Sequence, residues 1–282
     1  GDVYKRQLEM TPGYPSPEAG EAAVAALESA CAALEAGEID FLVTAPINKN
    51  TAYSERFPFP GHTEYLQFRL GGGDARSTMI LFDDYIRVAL VTTHLPLKDV
   101  PGAISKEAVK DKILSLDAAL RQDFRMDKPR IAVLSLNPHN GDNGLLGDEE
   151  TNEIIPAVEE CVKEGILAFG PFAADGFFGT PDYLKYDGIV AMYHDQGLAP
   201  FKALAKEYGV NYTAGLPFVR TSPDHGTAYS IAGKGEADPT SMRQAIYQGI
   251  DLTRNRHMHA EAIANPLPKM KTDRRQKQPE EV

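Results

Sequence analysis

Short apolar runs alternate with amphipathic helical segments along most of this 282-residue chain. Such alternation is typical of a mostly parallel sheet with helices on both faces. In sheets of this kind ligands bind beyond the carboxyl ends of the strands. The sequence therefore predicts an α/β fold with its site at that edge. The predicted strands are Ile39–Val43, Tyr85–Thr92, Arg130–Leu136, Gly188–Met192 and shorter runs near Asn211–Ala214 and Phe218–Thr221. The predicted helices are the segment from Ser16 to Gly37, Ser105–Phe124, Glu149–Lys163 and Thr240–Arg256.

Composition narrows the classes of partner. The net charge of −11 argues against a nucleic acid or an anionic membrane as partner. No run approaches the ~18 apolar residues of a membrane span, and no segment has the pattern of a signal peptide. Cys31 and Cys161 lie in helical apolar patterns, so we expect buried, reduced thiols in a cytoplasmic protein. An anionic small molecule remains a candidate ligand if its site contains cations of its own.

Three predicted strands are each followed by a histidine within a few residues of the carboxyl end, namely His94, His139 and His194. Imidazole is the commonest ligand for zinc and related divalent metals. Three protein ligands with open positions indicate a catalytic metal site rather than a closed structural one. Asp175 and Asp195 could orient the imidazoles as hydrogen-bond acceptors. Any one of these loop histidines could equally be held by ordinary hydrogen bonds, so the prediction depends on their convergence.

Two cations could serve an anionic ligand in this acidic chain. The pattern Leu198–Pro200 predicts a helix start, which would place Lys202 near a helix N-terminus, where both attract anions. Arg220 ends an apolar run, and a planar guanidinium there suits bidentate capture of phosphate or carboxylate. Asn211 could add a hydrogen bond. Each of the three could also be an ordinary surface residue.

Glycine-rich segments give no ordinary dinucleotide-binding fingerprint, because no GxGxxG motif lies between a strand and a helix. Gly71–Gly73 predicts only a turn. The segment from Asp224 to Pro239 contains small residues, a short helix and a glycine turn, which allow close approach of backbone to a ligand. On physical grounds alone this segment is a tight loop.

Seven segments between Ile39 and Asp238 resemble, in order, the 4-hydroxythreonine-4-phosphate dehydrogenase family. The last of them is also similar to the loop that binds the adenosine half of NAD in isopropylmalate dehydrogenases. The resemblance implies the two-lobed isopropylmalate dehydrogenase-like fold, with a mostly parallel sheet and helices on both faces. The matching segments are TAPINK (Thr44–Lys49), GHTEYL (Gly61–Leu66), TTHLPL (Thr92–Leu97), LNPHNGDNG (Leu136–Gly144), ADGFF (Ala174–Phe178), YHDQGLAPFK (Tyr193–Lys202) and the stretch Gly215–Asp238.

The resemblance also implies roles for individual residues. It implies one divalent metal ion (zinc, magnesium, cobalt or manganese) that two subunits of a homodimer share, with the ligands His94, His139 and His194. It implies a catalytic group of Asp175, Asp195 and Lys202, and substrate contacts from His62, Thr63, Lys202, Asn211 and Arg220. It implies an NAD or NADP loop with His225, Gly226, Thr227 and Asp238, although isopropylmalate dehydrogenases have Asn in place of Asp238.

The implied reaction is oxidation of a phosphorylated hydroxy amino acid, 4-phosphohydroxy-L-threonine, at C3. Decarboxylation to 3-amino-2-oxopropyl phosphate follows, as part of pyridoxal phosphate biosynthesis. One alternative is a sister dehydrogenase acting on D-threonate or D-erythronate 4-phosphate, and another is one acting on aromatic cis-dihydrodiols. Lys202, Asn211 and Arg220 favour a phosphorylated acid over a dihydrodiol.

One departure from the family pattern concerns the beginning of the chain. Family members normally begin with a strand and a Gly-Asp-Pro-x-Gly-Ile-Gly-Pro-Glu segment, which this sequence lacks. We therefore expect an N-terminally truncated catalytic unit of two intertwined α/β lobes over residues 16–267, with flexible tails at 1–15 and 268–282. An inactive, truncated metal-binding dimer is a further alternative.

Overall fold

The computed structural model describes residues 11–72 and 77–267. Of the two predicted tails, residues 1–10 and 268–282 lie outside the described residues, and residues 11–15 form a turn before the first helix. In the described part of the chain, no helix is long and apolar enough to cross a membrane.

Eight strands of the described chain form a single sheet. They are β1 (Phe41–Val43), β2 (Thr78–Phe82), β3 (Arg87–Leu90), β4 (Arg130–Leu134), β5 (Leu167–Phe172), β6 (Gly188–Ala191), β7 (Val210–Ala214) and β8 (Val219–Pro223). The helices are α1 (Pro17–Glu35), α2 (Lys49–Ala52), α3 (His62–Leu70), α4 (Val100–Ala103), α5 (Lys106–Gln122), α6 (Ile155–Lys163), α7 (Ala174–Phe178), α8 (His194–Ala205) and α9 (Thr240–Ala264).

The strand order is β1-β8-β7-β2-β3-β6-β4-β5. The pairs β1–β8, β3–β6, β6–β4 and β4–β5 are parallel. The pairs β8–β7, β7–β2 and β2–β3 are antiparallel. The predicted α/β fold with a mostly parallel sheet is therefore confirmed, and an antiparallel section of three pairings lies within it.

Helices cover both faces of this sheet. On one face α5, α6 and α9 pack against side chains such as Ile131 and Tyr212 in a continuous apolar cluster. On the other face α7 and α8 pack against alternate residues of the same strands, including Leu81 and Leu134. A third cluster joins α1 and α3 to Leu42 of β1. Burial of both sheet faces explains why strands such as β4 and β6 have continuous apolar runs rather than alternating ones.

Helix boundaries follow from capping residues in the sequence. Ser16 Oγ accepts a hydrogen bond of 3.2 Å from the N–H of Ala19 at the start of α1, and Ser105 caps α5 in the same way. Serine is a favoured N-cap residue because its side-chain oxygen accepts from a free N–H group of the first turn. Cys31 in α1 and Cys161 in α6 are fully buried, as predicted, and burial raises the pKa of each thiol to about 11.

Helix α8 corrects one expectation. It begins at His194 rather than near Leu198, because Tyr193 already has the extended backbone of an N-cap residue. Pro200 therefore lies inside the helix, where it cannot donate a hydrogen bond to the carbonyl oxygen four residues earlier. Lys202 consequently lies in the last turn of α8, so the predicted placement at a helix N-terminus is wrong.

Candidate functional site

Three adjacent parallel strands, β3, β6 and β4, end at one edge of the sheet, and each leads into one of the predicted histidines. The rings of His94 and His194 lie with their centroids 6.1 Å apart. The Thr92 hydroxyl donates a hydrogen bond of 2.7 Å to the carbonyl oxygen of Met192, which ties the two loops together. Two of the three histidines therefore converge within one chain, at the predicted edge.

Asp195 contacts the second histidine of this pair. Its Oδ1 lies 2.7 Å from Nδ1 of His194, so Nε2 of that ring is available to bind a ligand. Partial burial, followed by the positive charge of Lys49, lowers the pKa of His94 and favours its neutral form. The histidine pair and Asp195 line a cavity of about 340 Å³ together with Leu95, Leu97 and Tyr193.

His139 lies apart from the pair in an unusual segment. The five residues His139–Asn143 all have positive φ angles, between 44° and 76°, and form a left-handed turn with an exposed His139. Within residues 11–72 and 77–267, no group of three His, Cys, Asp or Glu side chains could hold a metal ion. A single chain therefore brings together two of the three predicted ligands.

Glu150 anchors the loop that carries His139. Its Oε1 accepts hydrogen bonds of 2.7 Å from the backbone N–H groups of Leu136 and Asn137, and its Oε2 accepts one of 3.0 Å from Asn137 Nδ2. The carboxylate is only 1% exposed. A non-glycine residue in the left-handed region costs roughly 1–2 kcal/mol. We therefore expect this turn to depend on the hydrogen bonds of Glu150 for its stability.

Asp175 lies at the first turn of α7 and is exposed. In the part of the chain that the structure describes, its carboxylate makes no hydrogen bond or ion pair. The structure thus places Asp195, but not Asp175, in contact with a candidate metal ligand.

A second group of polar residues lies on one face of β7 and β8. Alternation directs Asn211 and Thr213 of β7 to the same face as Arg220 and Ser222 of β8, since Asn211 pairs with Ser222 across the strands. The intervening residues, such as Tyr212, face α9 in the apolar core. The strand pattern therefore produces a polar face beside the apolar one.

Arg220 is the buried cation of this face, with 3% exposure. Its Nε and Nη2 donate to Thr44 Oγ1 at 3.0 and 2.5 Å, and its Nη1 donates to Thr213 Oγ1 at 3.1 Å. Among the described residues no carboxylate pairs with it. Burial lowers the pKa of Arg220 to about 10, against a smaller opposing effect of Glu64, and leaves it charged at neutral pH.

A cavity of about 240 Å³ opens in front of Arg220. The Oδ1 atom of Asn211 is buried without a hydrogen-bond partner, so this acceptor is open to a ligand. Burial, together with the charges of Arg220 and Lys49, lowers the pKa of His62 to about 3. His62 is therefore a neutral hydrogen-bonding group, and Thr63 follows it in the first turn of α3. The cavity is lined by Ala45, Pro46, Ile47, Lys49, Gly61, His62, Asn211, Arg220, Ser222, Pro223, His225 and Gly226.

Lys202 reaches this region from the end of α8. Its Nζ lies 3.1 Å from Oδ1 of Asp224 and 3.3 Å from the carbonyl oxygen of the same residue. Burial raises the pKa of Asp224, and the charge of Lys202 opposes this shift. The ion pair holds the ammonium group next to His225, which follows Asp224 and lines the cavity in front of Arg220.

The predicted cofactor loop lines a larger cavity of about 540 Å³. His225, Gly226 and Thr227 lie on one side of it, and Ala19 and Gly20 of α1 lie on another. His225 Nδ1 is 2.9 Å from the carbonyl oxygen of Gly226. Asp238 does not line this cavity, and its Oδ1 accepts a hydrogen bond of 2.7 Å from Thr240 N–H at the start of α9.

Several residues of the site were not candidates on sequence grounds. Thr44 contacts Arg220 and Asp224 contacts Lys202, each from a distant segment, and Glu150 contacts the backbone that leads to His139. Lys49 and Thr44 lie in the TAPINK segment, and its resemblance to the family is the sequence signal that could have indicated them.

The chain matches the family model described as pyridoxal phosphate biosynthetic protein PdxA over residues 2–249. It is 59% identical over 261 residues to a protein of Bacteroides thetaiotaomicron named 4-hydroxythreonine-4-phosphate dehydrogenase. That alignment covers 93% of this chain and 71% of the relative.

Solved structures of named enzymes are also similar to this chain. A 4-hydroxythreonine-4-phosphate dehydrogenase from Klebsiella pneumoniae superimposes with a TM-score of 0.75 at 36% identity, covering 86% of this chain and 74% of the other. A terephthalate 1,2-cis-dihydrodiol dehydrogenase from Burkholderia xenovorans superimposes with a TM-score of 0.61 at 25% identity, covering 86% and 76%. The fold is thus shared by enzymes whose names give different substrates.

Proposed function

The chain belongs to the PdxA family of 4-hydroxythreonine-4-phosphate dehydrogenases, and on this basis we propose that it oxidises 4-phosphohydroxy-L-threonine at C3. Loss of carbon dioxide from the β-keto acid then gives 3-amino-2-oxopropyl phosphate. The observation that carries this proposal is the cavity in front of Arg220. It combines a buried guanidinium that lacks a carboxylate partner among the described residues with an open acceptor on Asn211 and a neutral His62.

Phosphate suits this cavity on electrostatic grounds. Arg220 keeps its charge at neutral pH, and Lys49 adds a second cation to the lining. Two cations around a small polar cavity match a dianionic phosphate. An acidic chain can bind an anionic ligand only if the site contains its own cations, and Arg220 and Lys49 would supply them here.

The paired histidines fit a divalent metal ion. Two imidazoles with ring centroids 6.1 Å apart can direct one nitrogen each at a common ion, and the contact with Asp195 orients the ring of His194. His139 of a second copy would supply the third ligand, so the functional unit in this proposal is a homodimer that shares the site. A divalent ion bound there would supply Lewis-acid stabilisation for the developing negative charge on the C3 oxygen.

The cavity next to the cofactor loop fits a dinucleotide. Its lining includes Ala19, Gly20, Ala45 and Gly226, which let a planar ring approach the backbone closely. NAD or NADP would accept the hydride from C3. The cavity in front of Arg220 shares His225 and Gly226 with this one, so phosphate end and cofactor would lie side by side.

The protein's own groups then have separate tasks. Arg220 binds the phosphate end, the open Oδ1 of Asn211 accepts a hydrogen bond from a donor group of the substrate, and His62 donates or accepts one without bringing charge. Lys202, held by Asp224, is placed to take or return a proton. Asp195 keeps the His194 ring oriented, and Asp175 remains a proposed proton-transfer group that the structure does not connect to the others.

A sister enzyme for D-threonate or D-erythronate 4-phosphate would use the same phosphate cavity. An aromatic cis-dihydrodiol would not, because it has no phosphate group to place against Arg220 and Lys49. The phosphate cavity therefore favours phosphorylated acids of either kind, and the amino acid is preferred because the relatives carry its name.

Reduction of NAD⁺ and NADP⁺, followed by absorbance at 340 nm, tests the proposal. The chain is assayed with 4-phosphohydroxy-L-threonine and with D-threonate 4-phosphate, each with and without Zn²⁺, Mg²⁺, Co²⁺ or Mn²⁺. We expect metal-dependent turnover that is faster with the amino acid. Faster turnover of the sugar acid would support the sister enzyme, and metal binding without any turnover would support the inactive metal-binding dimer.

A further inference from the structure

We propose that Thr44 and Thr213 are positioning residues for Arg220, whose guanidinium they hold without neutralising its charge. This inference rests on the proposed function, because it takes phosphate binding as the task of Arg220. The two threonines come from different strands, since Thr44 directly follows β1 and Thr213 lies in β7.

The acceptors around Arg220 are unusual for a buried arginine. A guanidinium with 3% exposure ordinarily pairs with a carboxylate, which compensates for the loss of water. Here all hydrogen bonds that Arg220 donates within the described chain end on the hydroxyl oxygens of Thr44 and Thr213, at 2.5–3.1 Å. Hydroxyl oxygens satisfy N–H donors and add no negative charge. The positive charge therefore remains available to a ligand in the cavity.

The number of remaining donors matches a phosphate. A guanidinium has five N–H donors, and the two threonines take the one on Nε, one on Nη2 and one on Nη1. One donor on each terminal nitrogen is then left without a partner in the described chain. Two donors on the terminal nitrogens can bind two oxygens of one phosphate group.

The sheet fixes the position of both hydroxyls. The N–H of Thr44 donates to the carbonyl oxygen of Thr221 at 3.0 Å, so Thr44 continues the parallel pairing of β1 with β8. Thr213 is held by the antiparallel pairing of β7 with β2. Threonine is stiff about its first side-chain torsion, and its hydroxyl therefore has few alternative directions. Valine keeps this shape and lacks the hydroxyl, whereas serine keeps the hydroxyl and lacks the methyl group.

Binding of inorganic phosphate by titration calorimetry tests the inference, alongside steady-state kinetics. We expect Thr44→Val to raise the Kd for phosphate and the KM for the phosphorylated substrate by roughly tenfold or more, with a much smaller change in kcat. Thr44→Ser should restore both values to near those of the unchanged protein. Thr221→Val is the matched control, because this buried threonine of β8 donates instead to the carbonyl oxygen of Ala245 at 2.7 Å.

Two results would overturn the inference. One is a folded Thr44→Val protein that binds phosphate as well as the unchanged protein, and the other is a serine variant as defective as the valine variant. If Thr44→Val does not fold, Thr213→Val applies the same test through Nη1. Arg220→Gln separates the two proposals: if it leaves the phosphate Kd unchanged, the phosphate site itself is wrong, whereas loss of binding in Arg220→Gln but not in the threonine variants rejects only the positioning role.

Discussion

The side-chain amide of Gln196 donates a hydrogen bond of 2.6 Å to the carbonyl oxygen of Ser135. Its own oxygen accepts one of 2.7 Å from the N–H of Met192. Gln196 therefore joins the ends of β4 and β6, the strands that lead to His139 and His194. This bridge needs a donor and an acceptor on one planar group, which an amide provides and a carboxylate does not.

We expect Gln196→Glu to lower the free energy of unfolding by about 1–3 kcal/mol, because it places an acceptor against the Ser135 carbonyl oxygen. Urea unfolding followed by circular dichroism measures this change. Gln244→Glu on α9 is a control that should change stability little, since the Gln244 side chain makes no hydrogen bond in the described part of the chain. Equal stability of the two variants would contradict the bridging role of Gln196.

Glu150→Gln tests the anchor of the His139 loop. Glutamine keeps the shape of the side chain but turns an acceptor towards Leu136 N–H, or towards Asn137 Nδ2, into a donor. We expect a loss of about 1–3 kcal/mol in stability and faster amide hydrogen exchange at residues 136 and 137. Glu159→Gln, an exposed position on α6, is the control. Unchanged exchange at residues 136 and 137 would show that the loop does not depend on Glu150.

Much of the fold follows from local sequence patterns, and the exceptions have physical reasons. Each of the six predicted strand runs overlaps an observed strand, and in β4 and β6 burial on both faces goes with a continuous apolar segment. β5 was missed because Gly170 and Pro171 interrupt its apolar run, and it is an edge strand in which Leu167 and Phe169 are exposed. β2 is a short apolar run of the kind that periodicity alone does not distinguish from a helix segment.

Part of the candidate site could also be predicted from the sequence, and part could not. Histidines at strand ends were predictable, because parallel neighbours end at a common edge, and His94 and His194 do meet there. The separation of His139 from this pair was not, because it depends on five consecutive left-handed residues, whereas Gly, Asn and Asp ordinarily adopt this conformation singly. Partners such as Thr44 for Arg220 lie 176 residues away in the chain, and only the strand order brings them together.

His62 predicts a pH dependence of stability. Its pKa falls from 6.5 to about 3 in the folded protein, mainly through burial. Between these values the unfolded chain binds a proton that the folded chain does not, so His62 makes the protein less stable as the pH falls. We expect His62→Gln to lose less stability than the unchanged protein between pH 6.5 and about pH 4.5. Chemical denaturation at several pH values measures this difference, and parallel curves for the two proteins would contradict the shifted pKa.

Subunit mixing tests the shared metal site. His139→Ala and His194→Ala should each abolish metal-dependent activity, because each removes a ligand from both sites of a homodimer. In a heterodimer of the two variants, however, one site keeps His94 and His194 from one subunit and His139 from the other, while the second site loses both. Random exchange of equal amounts should therefore restore about a quarter of the activity of the unchanged protein. Mixtures that stay inactive after verified subunit exchange would show that His139 does not complete the partner's site.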